Sequence, residues 1–328
     1  MRSWIGGLAG LALAAGGAHA AGPGYHVVDR VAGPDGGWDY VEVDAARNRV
    51  LITRGSSVMA VDIATKAVST FASGQRLHDA LPIGGEVMMT NGGNNTVVFA
   101  DARTGATVAT VETGKGPDAA TYDAHTGLVL VMDHAGGQVT LIDPKTHKVA
   151  GTIEVGGDLE AAALDGAGKA FVNVENKNEV VAVDLVRKKV LARYPLVGCD
   201  GPTGLAYDAA DKLLIAACDG ATDIVDARTG KVLQTLATGK GADGVAFDRR
   251  AKLAFVPAGR AGTLSVVAIA GGKASIVETV PTQVSARTIG LDQRSGRLYL
   301  PAAKYAAATA GGRPAVVPGS FEVLVVGK

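Results

Sequence analysis

A repeat of about 42 residues runs through most of this 328-residue chain and limits the folds open to it. Each repeat contains four short apolar runs separated by turns, and the fourth run ends in glycine. The terminal glycines are Gly74, Gly114, Gly156, Gly198 and Gly239, at intervals of 40, 42, 42 and 41 residues. Four strands in a repeat of this length are typical of one β-propeller blade.

Aspartate marks the end of the first or third apolar run in most repeats. The first-run residues are Asp44, Asp123, Asp165, Asp208, Asp248 and Asp292, and the third-run residues are Asp62, Asp101, Asp143, Asp184 and Asp226. A carboxylate just before a tight turn can accept backbone N–H groups two or three residues further on. We therefore interpret these aspartates as turn-forming residues rather than as a functional site.

The repeats predict an all-β fold, a seven-bladed β-propeller with four antiparallel strands per blade. The last repeat has only three predicted strands, and an orphan run at residues 25–28 has the form of a fourth strand. We expect this N-terminal strand to join the last blade and close the ring, because an open sheet edge invites pairing with other chains. Glycine-rich turns, in a chain with 45 glycines, exclude helix-pair repeats of similar length.

The first twenty residues have the layout of a secretory signal peptide. Arg2 precedes an apolar run over residues 5–18, and residues 18–20 form a small-x-small cleavage site. This pattern predicts a signal peptide at residues 1–20 and a single propeller domain at 21–328, periplasmic or secreted. An uncleaved anchor is the alternative. No later segment has the length of a transmembrane segment.

Residues 88–91, Met-Met-Thr-Asn, fall where one bacterial repeat group has its Tyr-Val-Thr-Asn signature. Together with the tail from Ala286 to Val326, they make the chain resemble the YVTN-type β-propeller repeat family of YncE-like exported proteins. The resemblance covers essentially the whole chain after residue 20. It implies the propeller fold and export rather than one particular activity.

One position, five residues before the first-run aspartate, carries polar side chains around the repeats. Its residues are Asp39, Asp118, Glu160, Thr203, Asp243 and Arg287, with His78 or Asp79 in the second repeat, where the register is open by one. The first strand of each blade lines the central channel of a propeller, so these side chains should gather at one mouth. We expect a ligand or cation site there; a solvated acidic mouth is the alternative.

Four of the polar residues near this mouth are possible metal ligands, namely His78, Asp118, His134 and Glu160. Histidine nitrogens would favour Zn²⁺ or another transition metal, whereas carboxylates alone would favour Ca²⁺. A divalent cation is thus a possible cofactor, and no cofactor is certain from the sequence.

The two cysteines of the chain, Cys199 and Cys218, lie in one repeat. Pairing of the first strand with the second, Thr203 against a residue near Ala216, brings the cysteines together. In an exported protein this predicts a disulfide; a metal-binding or redox pair is the alternative.

The charge balance is even, with 32 Lys and Arg against 32 Asp and Glu, and aromatic residues make up 5% of the chain. These values disfavour binding of nucleic acid. The one short basic run, Arg187 to Lys189, is interpreted as a solvated turn. We expect a monomer whose partner is an unidentified protein or small molecule.

Three functions remain in competition. The first is a binding or scaffold protein with its ligand or cation site at the channel mouth, favoured because no P-loop, G-x-S-x-G elbow or other nucleophile motif occurs. The second is a metal-dependent hydrolase, lactonase or lyase that uses the same site. The third is a single-stranded nucleic-acid binder.

Overall fold

The structure is a computed structural model that describes residues 22–307 and 315–328. The predicted signal peptide, residues 1–20, lies outside the described residues. Part of the Ala-, Gly- and Pro-rich insert between residues 302 and 319 also lies outside them. Among the described residues the only helices are two single 3₁₀ turns, His134–Gly136 and Glu175–Lys177.

The rest of the regular structure is β-strand, so the all-β prediction is confirmed. The strands are β1 (His26–Ala32), β2 (Val41–Asp44), β3 (Arg49–Thr53), β4 (Gly55–Asp62), β5 (Val68–Ile83), β6 (Glu86–Asn91), β7 (Thr96–Asp101), β8 (Thr107–Glu112), β9 (Pro117–Asp123), β10 (Leu128–Asp133), β11 (Gln138–Asp143), β12 (Lys148–Glu154), β13 (Leu159–Leu164), β14 (Lys169–Val174), β15 (Glu179–Asp184), β16 (Lys189–Pro195), β17 (Gly204–Asp208), β18 (Leu213–Ala217), β19 (Gly220–Asp226), β20 (Val232–Gly239), β21 (Ala246–Asp248), β22 (Leu253–Ala258), β23 (Thr263–Ala270), β24 (Lys273–Pro281), β25 (Gly290–Asp292), β26 (Arg297–Ala302) and β27 (Glu322–Gly327).

The strands form six antiparallel sheets. Four of the sheets are simple meanders of consecutive strands: β9 to β12, β13 to β16, β17 to β20, and β21 to β24. A seven-stranded sheet runs from β2 to β8, and its long strand β5 pairs with β4 through its first half and with β6 through its second. The sixth sheet has the order β1-β27-β26-β25, so the first and last described strands pair, with His26 opposite Gly327 and Ala32 opposite Glu322.

A closed series of contacts joins the first strands of the sheets and β5, the middle strand of the seven-stranded sheet. β2 contacts β5, and β5 contacts β9; the series continues through β13, β17, β21 and β25, and β25 contacts β2. The second and third strands supply a core buried on both faces, which includes the fully buried rings of Phe99, Phe171 and Phe255. A strand buried on both faces reads as a continuous apolar run, as in Val129–Met132 of β10.

The sheets have two chemically different ends. We call one end the turn face; it carries the turns that join first to second strands and third to fourth strands. Here the strand-end aspartates accept backbone N–H groups as predicted: Asp62 Oδ1 accepts those of Ala64 and Thr65 at 3.0 and 2.7 Å. At Gly105 any Cβ would lie 2.0 Å from the Phe71 carbonyl oxygen, so that turn requires glycine.

The opposite end, which we call the loop face, carries the longer connections. The predicted disulfide is confirmed there: Cys199 and Cys218 are bonded, with a Cα–Cα distance of 5.4 Å. The predicted pairing of Thr203 with a residue near Ala216 is displaced, because Leu205 opposes Ala216 and Gly204 opposes Ala217 in the ladder. Thr203 still donates its N–H to the Ala217 carbonyl at 3.1 Å.

Candidate functional site

Polar side chains at the start of four first strands surround one cavity of about 350 Å³ on the loop face. Asp39 precedes β2, His78 lies in the second half of β5, Asp118 is the second residue of β9, and Glu160 is the second residue of β13. The cavity is lined by Asp39, Tyr40, Arg76, His78, Gly92, Asn95, Lys115, Gly116, Asp118, His134, Ala135, Glu160, Asp243 and Arg287. The repeat therefore brings equivalent positions of different sheets together.

His78 lies between two carboxylates. Its Nδ1 is 2.7 Å from Asp39 Oδ2 and 3.0 Å from Asp118 Oδ1. Burial alone would lower the pKa of the imidazole, but the hydrogen bonds to Asp118 and Asp39 outweigh burial and raise the pKa to about 10. Gly92 leaves room for the ring, because a Cβ there would lie 2.9 Å from the imidazole. An imidazolium is thus the neutral-pH state of this group.

His134 forms a second group of the same kind with Glu160. Its Nδ1 is 3.1 Å from Glu160 Oε1 and 3.1 Å from the Leu159 carbonyl oxygen. The hydrogen bond to Glu160 raises the pKa of His134 to about 9 against the opposing effect of burial. Burial raises the pKa of Glu160 to about 7, although His134 opposes the shift. The Tyr40 hydroxyl donates to Glu160 Oε2 at 3.2 Å.

Asp118 belongs to both groups. One ligand atom each from Asp39, His78 and Asp118 lie within 4.8 Å of one another, and the same holds for Asp118, His134 and Glu160. Two imidazole nitrogens and three carboxylates thus converge, which is a donor set suited to a divalent transition metal. In the absence of such an ion, the proton on Nδ1 of His78 or His134 forms the hydrogen bonds that hold each group together.

A fourth carboxylate, Asp243, lies beside this donor set and is paired with Arg287. Arg287 Nε donates to Asp243 Oδ2 at 2.7 Å, Nη2 donates to the Trp38 carbonyl at 2.7 Å, and the guanidinium lies 5.3 Å from the Trp38 ring centre. Burial raises the pKa of Asp243 to about 7, opposed by Arg287. The two side chains also border a second cavity of about 610 Å³.

Two residues proposed for the site lie elsewhere. Asp79 is buried beneath the cavity, and its carboxylate accepts the N–H groups of Ala80 and Ala120 at 2.7 and 2.9 Å. In the second repeat, His78 rather than Asp79 is therefore the residue that lines the cavity. Thr203 borders the second cavity, where its hydroxyl donates to the Ala242 carbonyl at 3.2 Å.

The sequence reasoning missed two basic residues of the cavity wall. Arg76 and Lys115 lie two and three residues before His78 and Asp118; Arg76 is within β5, and Lys115 is in the connection between β8 and β9. A basic residue shortly before each of these site residues was the available signal. The link from Tyr40 to Glu160 joins residues 120 positions apart and left no mark in the sequence.

Comparison with known proteins shows the fold and nothing more. No protein-family model and no curated protein matches the chain. It is similar to a chain in the crystal structure of the mitotic checkpoint complex, with a TM-score of 0.73 and 12% identity over 98% of both chains. It is also similar to a chain of Kuenenia stuttgartiensis hydrazine synthase, with a TM-score of 0.71 and 13% identity over 86% of this chain and 95% of that one. These neighbours identify a β-propeller-like fold.

Proposed function

We propose that this chain is an exported, seven-bladed β-propeller that binds a divalent transition-metal ion at the loop-face mouth of its central channel. The observation that carries the metal site is the position of Asp118, whose carboxylate belongs to both histidine groups. A binding role is favoured over a scaffold without a ligand because the donor set is half-buried and enclosed in a cavity.

Seven blades follow if β5 serves two of them, as the fourth strand of the first blade and the first strand of the second. The seven-stranded sheet then divides into two blades of four. The cyclic contacts among first strands and the pairing of β1 with β27 support a closed ring. In this arrangement the strand ends that carry the donors converge on the channel axis.

The spacing of the donor atoms fits a metal. Bonds of about 2.1 Å place adjacent ligand atoms about 3.0 Å apart in an octahedral shell and about 3.4 Å apart in a tetrahedral one. The His78–Asp118 and His134–Glu160 separations are 3.0 and 3.1 Å. Each group offers three protein ligands, which leaves coordination positions open for water or a further ligand.

Imidazole ligands favour Zn²⁺ over Ca²⁺, so zinc is the probe for the test. Isothermal titration of the mature protein should show Zn²⁺ binding and much weaker Ca²⁺ binding. Asp118→Asn should weaken Zn²⁺ binding at least about 100-fold, because loss of a ligand exceeds the 10- to 100-fold cost of losing a residue behind one.

Asp200→Asn is the matched control, since this exposed carboxylate also lies on the loop face but borders only the second cavity. Its affinity for Zn²⁺ should equal that of the wild type, and both variants should retain the wild-type circular dichroism spectrum. A wild-type protein that binds no Zn²⁺, or equal affinities in the two variants, would refute the metal site.

Metal-dependent hydrolysis is a second candidate, favoured by the second cavity. This space of about 610 Å³ shares Asp243 and Arg287 with the donor cavity, so a small organic molecule could lie beside the ion. A panel of lactones and esters tests it: turnover that requires Zn²⁺ and is lost in Asp118→Asn supports hydrolysis. Zinc binding without turnover of the panel leaves the binding role as the function.

Export is supported by the disulfide, because such bonds persist in oxidising compartments. No helix among the described residues has the length and apolarity to cross a membrane. Fractionation of cells that produce the full chain should recover it outside the cytoplasm, with a mature N-terminus at Ala21. The resemblance to the YVTN-type family stays a prediction.

A further inference from the structure

The turn face carries a net positive charge. Its turns contain the basic residues Arg47, Lys66, Arg103, Lys145, Arg187, Lys188, Lys212, Arg228, Lys231, Arg249, Arg250, Lys252 and Arg294, and the acidic residues Asp165 and Asp211. The strand-end aspartates are negative as well, but Lys and Arg at the strand ends accompany them and the face stays net positive. A chain with no net charge is therefore strongly polarised between its two ends.

About half of these basic residues form no ion pair with a described carboxylate. The residues that do pair are Arg47, Lys66, Arg187, Arg228, Lys252 and Arg294. Lys145, Lys189 and Lys231 are exposed and form no ion pair with any described carboxylate. The strand-end carboxylates accept N–H groups of their own turns, as Asp143 and Asp184 do. The unpaired lysines and arginines of the turns give this face its net positive charge.

Exposed apolar side chains lie toward the same end of the molecule, most of them in the first half of the outermost strands. They are Val28, Val108, Tyr122, Val149, Val186, Leu191, Leu233 and Ile276. Val186 is 64% exposed at the tip of a turn and is followed directly by Arg187, Lys188 and Lys189. Apolar residues set among lysines and arginines are the composition by which peripheral proteins bind anionic bilayers.

We propose that the turn face docks on an anionic phospholipid membrane and that the loop face points away from that membrane. Charge complementarity selects the partner, and the ring of short turns supplies a broad surface rather than a groove. Single-stranded nucleic acid is a poorer match, because Tyr122 is the only exposed aromatic residue among those described on this face and stacking needs several. The proposal stands independently of the metal site.

Co-sedimentation of the mature protein with vesicles tests the docking at 100 mM salt. Vesicles with about 30% phosphatidylglycerol should bind the protein, and vesicles of phosphatidylcholine alone should not. Lys145→Glu/Lys189→Glu/Lys231→Glu should weaken binding at least about 100-fold, since each basic residue near such a surface contributes roughly a factor of ten or somewhat less. These positions have no left-handed backbone, so glutamate fits them.

The matched control reverses three exposed lysines of the loop face, Lys177→Glu/Lys240→Glu/Lys304→Glu, with the same change in net charge. It should bind vesicles like the wild type. Equal losses in the two triple variants would overturn the docking face, and failure of the wild type to bind anionic vesicles would overturn the proposal altogether. Thermal melts identify any variant that fails to fold.

A second pair of variants separates a bilayer from any other polyanion. Val149→Ser/Val186→Ser should weaken vesicle binding about fivefold at unchanged charge, because these side chains enter the interface. The control Val197→Ser/Val284→Ser, also 77% and 54% exposed but on the loop face, should have no effect. Vesicle binding that is unchanged in Val149→Ser/Val186→Ser would overturn the assignment to lipid. Tighter binding to an oligothymidylate at the same salt would overturn it too.

Discussion

Carboxylates on the two faces of this molecule have opposite properties although the same repeat places them. On the turn face, backbone and side-chain hydrogen bonds lower the pKa values of Asp62, Asp101 and Asp143. On the loop face, burial raises the pKa values of Glu160 and Asp243 to about 7. The local surroundings of each carboxylate, rather than the residue type, decide whether its pKa is lowered or raised.

The difference between the faces lies in how the carboxylate charge is compensated. Each turn-face aspartate lies beside N–H groups of its own turn and needs nothing further. The loop-face carboxylates converge from different sheets, and protons on His78 and His134 compensate their charge. A dication can replace those protons, and the proposed metal site on the loop face rests on this exchange.

The largest expected difference between the faces concerns the disulfide, which lies on the loop face. Cys199→Ala/Cys218→Ala opens a loop with a sequence separation of 19 residues and should lower the free energy of unfolding by about 3 kcal/mol. Urea denaturation measures the change. Wild-type protein treated with a reductant is the control and should lose about as much; a variant as stable as the oxidised wild type would contradict the expectation.

Zinc should raise the free energy of unfolding of the whole protein and slow local opening on the loop face alone. At a free concentration 100 times the dissociation constant, a ligand of the native state adds about 2.7 kcal/mol to the free energy of unfolding. Hydrogen exchange should slow at the amides that open β9 and β13, and the turn-face amides should keep their local exchange rates. Slower exchange in the turns at Asp62 and Asp226 alone would place the ion on the wrong face.

Removal of Arg287 should lower the free energy of unfolding more than removal of a matched cation on the turn face. Arg287→Met leaves Asp243 without its partner; both side chains keep about a third of their surface exposed, so we expect a loss of about 1–2 kcal/mol. Lys252 is the match, since it bridges to Asp208 of the neighbouring sheet at 2.7 Å. Lys252→Met should cost less, because Asp208 retains the Ala210 N–H at 3.0 Å.

Urea denaturation of both variants gives the comparison. A loss in Lys252→Met that equals or exceeds the loss in Arg287→Met would mean that the loop-face ion pair contributes no more to stability than the turn-face pair. The double variant should show the sum of the two losses, since the residues lie in different contacts at opposite ends of the sheets.

The sequence predicted the fold well because its signals are local. Spaced glycines and strand-end aspartates report turns within a few residues, and the Cys199–Cys218 bridge followed from the pairing of adjacent strands. The candidate site was reached only in part. Counting back from the aspartates found Asp39, Asp118 and the histidine position, but the count has no information on side-chain direction.

Asp79 shows that limit. It lies next to His78, and alternation along β5 turns one side chain into the cavity and the other toward the amides of Ala80 and Ala120. The basic turn face was missed for a different reason. Its lysines and arginines are spread over separate turns, so a search for a basic run finds only residues 187–189.

The smallest expected effect tests whether turn-face aspartates are as weakly coupled as the comparison implies. Hydrogen bonds from Arg228 lower the pKa of Asp226 to about 2. A lowered folded-state pKa stabilises the protein above the unfolded value near 3.8, and this contribution is lost as the pH falls through about 2. Asp226→Asn should therefore lower Tm by only about 1–2 °C at pH 7, because the ion pair is exposed.

The difference in Tm should shrink between pH 4 and pH 2.5 in thermal melts. Arg228→Gln is the control: it removes the other partner and should give a similar loss at pH 7 that also shrinks in acid. A drop in Tm of more than about 5 °C, or a difference that persists unchanged at pH 2.5, would mean that Asp226 supports more than its own turn. The contrast between satisfied and unsatisfied carboxylates would then fail on the face where it is most clearly defined.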